Sequence, residues 1–167
     1  TLQSAGDLVM KANGMPVDLG EVVPAALAPF TAQGDARIHI GGPPLTLREH
    51  TTGGIALACH ELATNAAKYG ALSSDDGSVT VRWDVIAEDG GERVTFEWIE
   101  QGGPPVTAPT RQGFGTRLVK AAVARESEAN VTLDFRPGGL VCRMTFVRTR
   151  PAQSGDPLLE PPEEAAG

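Results

Sequence analysis

His60-Glu61-Leu62-Ala63-Thr64-Asn65-Ala66-Ala67-Lys68-Tyr69-Gly70 reads as the end of a helix with two unlike sides. Glu61 and Asn65 are four apart and Lys68 is three further on. At about 3.6 residues per turn the acid, the amide and the cation therefore stack along one face. The adjoining stripe of Ile55, Ala58, Leu62, Ala66 and Tyr69 is apolar apart from the tyrosine hydroxyl. One side can be buried while the next presents polar chemistry. An amide oxygen suits a hard cation such as magnesium. A lysine suits a phosphate, and a glutamate accepts a proton or orients a nucleophile. The plain alternative is a solvated polar face, and spacing alone does not separate the two. Asn65 is the least ordinary member, because asparagine is a mediocre helix former.

Two glycine elements further along fit the same kind of ligand. In Phe96-Glu97-Trp98-Ile99-Glu100-Gln101-Gly102-Gly103-Pro104-Pro105 a strand runs into Glu100 and is stopped by glycines and prolines. A carboxylate there, beside glycines that allow close backbone approach, can accept from a ligand amino group. The alternative is a simple strand exit with Glu100 in water. In Gly113-Phe114-Gly115-Thr116-Arg117-Leu118-Val119-Lys120 two glycines precede a helical pattern, with Leu118, Val119, Ala122 and Val123 near one face. Free N–H groups at a helix start make an anion cradle, to which Thr116 and Arg117 can add donors. The alternative is a cap with turn glycines. The element is neither a Walker A loop nor a dinucleotide fingerprint, since Leu118 stands where the last glycine of the latter belongs.

In this order the three elements resemble the nucleotide-binding domain of the GHKL ATPases, and more closely the HWE group of bacterial sensor histidine kinases. The helix is similar to that family's N box, including His60. Trp98 and Glu100 match its Trp-x-Glu, and Gly113 to Leu118 matches its G2 box. The resemblance spans about residues 19 to 148. It implies ATP and Mg2+ as ligands, with Asn65 holding magnesium against the phosphates. It further implies Glu61 activating or orienting the attacking group, Lys68 contacting phosphate and Tyr69 lying near the adenine. Glu100 would take the adenine amino group, where most GHKL proteins use aspartate, and Gly102 would let the base approach. Gly113 and Gly115 would hinge the lid and present N–H groups. The short Pro104 to Gln112 stretch corresponds to that lid, and its Arg111 is either a phosphate donor or an exposed loop arginine.

A histidine kinase also needs a phosphoacceptor histidine on a dimerising helical hairpin, and nothing here fits that box. His39 falls in an expected strand, His50 lies ahead of the motif and His60 belongs to it. Residues 1–18 resemble the remnant of the second hairpin helix and its linker. Leu2, Ala5, Leu8 and Val9 have helical spacing, and Gly6 stands before Asp7 where the family often has histidine. Residues 19–150 are expected to be the catalytic domain. Residues 151–167, rich in Pro, Glu, Ala and Gly, are expected to be a disordered tail.

The rest of the chain supplies a frame. A helix is expected from Asp18 or Leu19 to Phe30, with Pro24 tolerated in its first turns. A strand follows over residues 36–40, then the long helix from about Glu49 to Tyr69. Residues 79–86 and 93–100 alternate like antiparallel strands joined across Glu88-Asp89-Gly90-Gly91. Residues 131–135 and 140–147 form a second hairpin through Pro137-Gly138-Gly139. The expected class is α+β, a two-layer α/β sandwich of a mixed, mainly antiparallel sheet packed on helices.

At 167 residues and 41% hydrophobic content the chain can bury a real core. A net charge of −7 argues against broad nucleic-acid or anionic-membrane binding, but not against ATP, which needs only local donors. No apolar run approaches a membrane span. Cys59 and Cys142 lack metal spacing and read as buried thiols of a reducing cytoplasm. The leading expectation is a histidine kinase catalytic module that passes the γ-phosphate to a hairpin of the same or a partner kinase, with a response regulator downstream. The alternatives are a GHKL serine kinase acting on a sigma-factor system, which lacks Trp-x-Glu, and a degenerate docking domain, against which the intact Glu61, Asn65, Gly113 and Gly115 speak.

Overall fold

The computed structural model describes residues 17–31, 36–105 and 114–149. Residues 1–16 of the expected hairpin remnant and linker, residues 106–112 of the expected lid with Arg111, Gly113 of the glycine element, and the tail in residues 151–167 lie outside those residues. Helix α1 is Leu19–Thr31, strand β1 Ile38–Gly41 and helix α2 Glu49–Lys68, followed by a 3-10 turn over Ala71–Ser73. Strands β2, Ser78–Glu88, and β3, Gly91–Gln101, form a hairpin. Helix α3, Phe114–Ala121, leads to the hairpin of β4, Ser127–Arg136, and β5, Gly139–Thr149.

The five strands lie in the order β1-β2-β3-β5-β4. Only β1 and β2 pair in parallel; the other neighbours are antiparallel. Alternation sets which face is buried. Val79, Val81 and Trp83 on β2, Val94, Phe96 and Trp98 on β3, and Cys142, Met144 and Phe146 on β5 turn inward. Leu19, Val22, Val23 and Leu27 of α1 and Ile55, Ala58, Cys59, Leu62 and Ala66 of α2 meet them, joined by Val119 after α3 begins. The opposite face of the sheet is polar, as where Arg82 lies 3.0 Å from Glu97 across β2 and β3. Exposed pairs of that kind contribute about 0–1 kcal/mol. Full burial of one side chain such as Phe96 contributes roughly 1.5–3 kcal/mol, so the inner face holds the layers together.

Local devices fix the ends of elements. Asp18 caps α1: its Oδ1 accepts from Gly20 N at 2.7 Å and its Oδ2 from Leu45 N at 2.6 Å. Pro24 sits in the second turn of α1 rather than the first, and Pro29 follows it. Both lie on the exposed side, so the buried face of the helix stays continuous. Trp83 stacks on Phe96 across the hairpin with centroids 6.2 Å apart, and its indole donates to Pro43 O at 2.8 Å. At the start of α2, Thr51 donates to Glu126 at 2.6 Å and Arg48 pairs with the same carboxylate at 3.2 Å. These contacts tie the helix to the entrance of β4.

The long helix also passes close to the segment after α3. A Cβ on Gly54 would fall 2.6 Å from the Ala122 carbonyl oxygen, whereas a Cβ on Gly53 would meet nothing within 4 Å. Alanine inside a helix ordinarily gains about 1 kcal/mol over glycine. Gly53→Ala is therefore expected to raise the unfolding free energy by about that amount. Gly54→Ala should lower it by about 1–3 kcal/mol, because α2 and that segment must separate. Denaturant unfolding of the two variants checks this, and equal shifts of the same sign would contradict the packing.

Candidate functional site

The second half of α2 carries Glu61 half-buried, with Asn65 and Lys68 exposed one and two turns on. The fold brings the distant glycine element to this face. A Cβ on Gly115, in the first turn of α3, would lie 2.7 Å from Glu61 Oε2 and 3.8 Å from Asn65 Nδ2. A side chain there would have to push the Glu61 carboxylate aside, and the N-terminal end of a helix, with its free N–H groups, stands beside a carboxylate and an amide. Thr116 is half-buried and Arg117 exposed in the same turn.

His60, next to Glu61 in sequence, turns to the other side. Its ring meets Phe30 of α1 edge-on, with centroids 5.6 Å apart. It joins the helices rather than the polar face. Tyr69 departs from the apolar stripe in which the helical period places it. The backbone leaves the helix at this residue, with φ −131° and ψ −17°, and its side chain is 71% exposed. It stands at the rim of the polar end of α2, next in the chain to Lys68.

Glu100 is not a solvated strand end. It is 3% exposed, and its two oxygens are engaged separately. Oε1 accepts from Ala71 N at 3.0 Å, and Oε2 accepts from Trp98 Nε1 at 3.1 Å. Trp98 and Glu100 are two apart on one strand and so share the inner face. Ala71 opens the 3-10 turn that follows α2. A Cβ on Gly70 would fall 2.2 Å from Glu100 Oε1, so the helix exit approaches the carboxyl as closely as a backbone can. Gly102 has φ +74°, and its Cβ would meet the Asp76 carbonyl at 2.6 Å. The turn and its neighbour both call for glycine at that position, on the side facing Asp76. Burial pushes the Glu100 carboxyl above its ordinary range, and the Ala71 and Trp98 donors pull the other way.

Trp98 was expected as half of a motif; that its indole holds the glutamate follows only once the strand is seen to place both on one face. Two polar ends result. One comprises Glu61, Asn65, Lys68 and the first turn of α3; the other is the enclosed Glu100. From Glu61 to Gly70 is nine residues, about 13 Å at the helical rise, a length suited to an extended phosphorylated ligand. Among the described residues no group of three or more His, Cys, Asp and Glu could hold a metal. An amide and one carboxylate suit magnesium in its usual partnership with ligand phosphates and water. A cavity of about 510 Å³ lies at the other end of α2, lined by residues including Leu47, Arg48, Glu126, Phe146 and Arg148. None of the motif residues lines it. Its arginines are already paired, Arg48 with Glu126 and Arg148 with Glu92 at 3.0 Å, so it offers less uncommitted polar chemistry than the α2 face.

Known proteins are similar to this chain. The blue-light-activated histidine kinase of Brucella anthropi is 39% identical over 140 residues, 84% of this chain and 28% of that protein. Its Brucella ovis counterpart is 37% identical over 84% of this chain and 29% of that protein. The chain thus spans less than a third of the length of these relatives. No protein-family model matches. Among solved structures, the Erythrobacter litoralis blue-light-activated histidine kinase superposes with TM-score 0.55 at 20% identity, over 85% of this chain and 50% of that one. The histidine kinase domain of the E. coli osmosensor EnvZ gives TM-score 0.51 at 19% identity, over 87% of this chain and 96% of that one. At such identities the structural likeness speaks to the fold.

The enclosure of Glu100 makes a pH prediction. Its folded-state value lies above its ordinary 4.5. The stability it contributes is therefore complete below that ordinary value and is lost as pH rises through the folded-state value. Relative to Glu100→Gln, which does not titrate, the wild type should gain unfolding free energy as pH falls from neutral toward 4.5. Urea unfolding of both proteins across that range checks the sign, and a difference independent of pH would contradict the enclosure.

Proposed function

The chain belongs to the sensor histidine kinases, as a catalytic domain of their GHKL fold, and on that footing we propose that it binds ATP with magnesium and passes the γ-phosphate to a histidine outside the chain. The observation that carries the proposal is the meeting of Gly115 with Glu61 and Asn65. Two sequence elements far apart in the chain converge there on a place suited to phosphate and metal.

Asn65 would hold the magnesium through its amide oxygen, against the phosphates. Lys68 and the N–H groups of Gly113 and Gly115 would receive phosphate oxygens, with Thr116 and Arg117 as further donors. Glu61 would orient the attacking imidazole and take its proton. The bond from the γ-phosphorus to the bridging oxygen would break as the bond to the imidazole nitrogen forms, and ADP would leave. Such transfer depends mainly on positioning and charge stabilisation, which is what this set of groups supplies. At the far end Glu100 would accept from the adenine amino group, with Tyr69 beside the base and Gly102 shaping the turn that borders it.

The phosphoacceptor would be a helical hairpin of the same or a partner kinase, with residues 1–18 as the remnant of its second helix and the linker, and a response regulator receiving the phosphate afterwards. Light sensitivity is named for the relatives and is a property of those proteins. No helix among the described residues is long and apolar enough to cross a membrane. Both cysteines are free and buried, and burial raises the thiols far from reactivity. We place the chain in the cytoplasm, where ATP and response regulators are available, without contact to nucleic acid or membrane.

Calorimetric titration with ATP, with and without magnesium, tests the proposal. The wild type should bind ATP more tightly with magnesium. Asn65→Ala should weaken the magnesium-dependent part by about tenfold or more, as loss of a group supporting a metal does. With a hairpin domain supplied, phosphate should appear on it in an acid-labile form. Unchanged magnesium-dependent binding in Asn65→Ala, or acid-stable phosphate, would contradict the reading.

A further inference from the structure

Trp98 is fully buried, and its indole N–H donates to Glu100 Oε2 at 3.1 Å. The Ala71 amide donates to the other oxygen at 3.0 Å. An ionised carboxylate has about four lone-pair sites, two on each oxygen. One on each is thus taken by the protein, from two different directions and two different elements. A carboxyl held by one donor can turn about its last bond; one held on both oxygens cannot turn without breaking a hydrogen bond. Its remaining lone pairs are fixed in direction and can only accept while the group is ionised.

We infer that Trp98 is a positioning residue for base selection, which locks the Glu100 carboxyl so that its free lone pairs face the exocyclic amino group of the nucleotide base. The inference rests on the proposed ATP site and adds to it a residue that does not itself touch the ligand. The large ring also fills the core, where it stands opposite Cys142 of β5 and Val81 of β2. The packing and the hydrogen bond are separable, because phenylalanine keeps most of the former and none of the latter.

The test compares ATP with purine riboside triphosphate, which lacks only the 6-amino group, on the wild type and on Trp98→Phe. A hydrogen bond from an amino group to a carboxylate corresponds to roughly tenfold to a hundredfold in affinity, and the wild type should prefer ATP by that factor. Trp98→Phe should reduce the preference to about threefold or less, with most of the loss on ATP and little on the analogue. Equal loss on both nucleotides, with the preference retained, would overturn the inference and leave Trp98 as core packing alone. A wild type that binds neither nucleotide would overturn the ATP reading together with the inference. Should Trp98→Phe not fold, the indole N–H resonances decide. ATP should shift the Trp98 signal and the 6-desamino analogue should shift it less, while the Trp83 signal, whose N–H donates to Pro43 O, stays in place under both. Equal Trp98 shifts with both nucleotides would overturn the inference.

Discussion

The two hydrogen bonds accepted by the Glu100 carboxyl, from the Ala71 amide and the Trp98 indole, join the end of α2 to the end of β3. A buried carboxyl without donors is costly, so a glutamate at that place on the inner face obliges the fold to deliver them. The turn after α2 can come that close only because residue 70 is glycine. The start of β5 meets the same constraint from the other side. Gly139 has φ +140°, and a Cβ on it would lie 2.2 Å from the Glu100 carbonyl oxygen. Helix exit, strand end and hairpin start are thus set around one acidic residue.

That join gives the site its geometry. With the C-terminal end of α2 pinned to the sheet, the polar face of the helix points toward α3, and Gly115 settles against Glu61 and Asn65. The helix becomes a ruler between an enclosed acceptor and an open, anion-friendly end. On the proposed function, the difference in exposure between the two ends has a chemical reason. A base presents a flat edge with a few directional hydrogen bonds and profits from enclosure. Phosphates and their metal carry charge that is better met by free N–H groups, a lysine and water. On the proposed function, the short acidic-to-amide spacing on α2 and Gly115 of α3 would serve the second end, and Trp98 and Glu100 the first.

Much of this was legible in the residues. The period of α2, the alternation of β2 and β3 around Asp89-Gly90, and the placing of Glu100 at a strand end all follow from local rules. The convergence of Glu61, Asn65 and Gly115 was suggested by resemblance, and the structure brings these residues together in space. What the sequence did not disclose is non-local. Tyr69 fits the helical stripe by spacing, but the chain leaves the helix at that residue and turns it outward. Pro24 lies deeper in α1 than the tolerant first turn, a position sustained by the buried face opposite it. The enclosure of Glu100 needs Ala71, almost thirty residues away, and no pattern around either residue announces the other. His60 belongs to the motif by sequence, yet it packs on Phe30, a contact that only the crossing of α1 and α2 creates.

The most direct test of the account is a structure with magnesium and an ATP analogue whose terminal phosphate cannot be cleaved. The account predicts the base amino group within hydrogen-bond distance of Glu100, the triphosphate running along α2, and the metal on the Asn65 amide beside Gly115. A nucleotide seated instead in the cavity between Arg48 and Arg148, or a base directed away from Glu100, would contradict it.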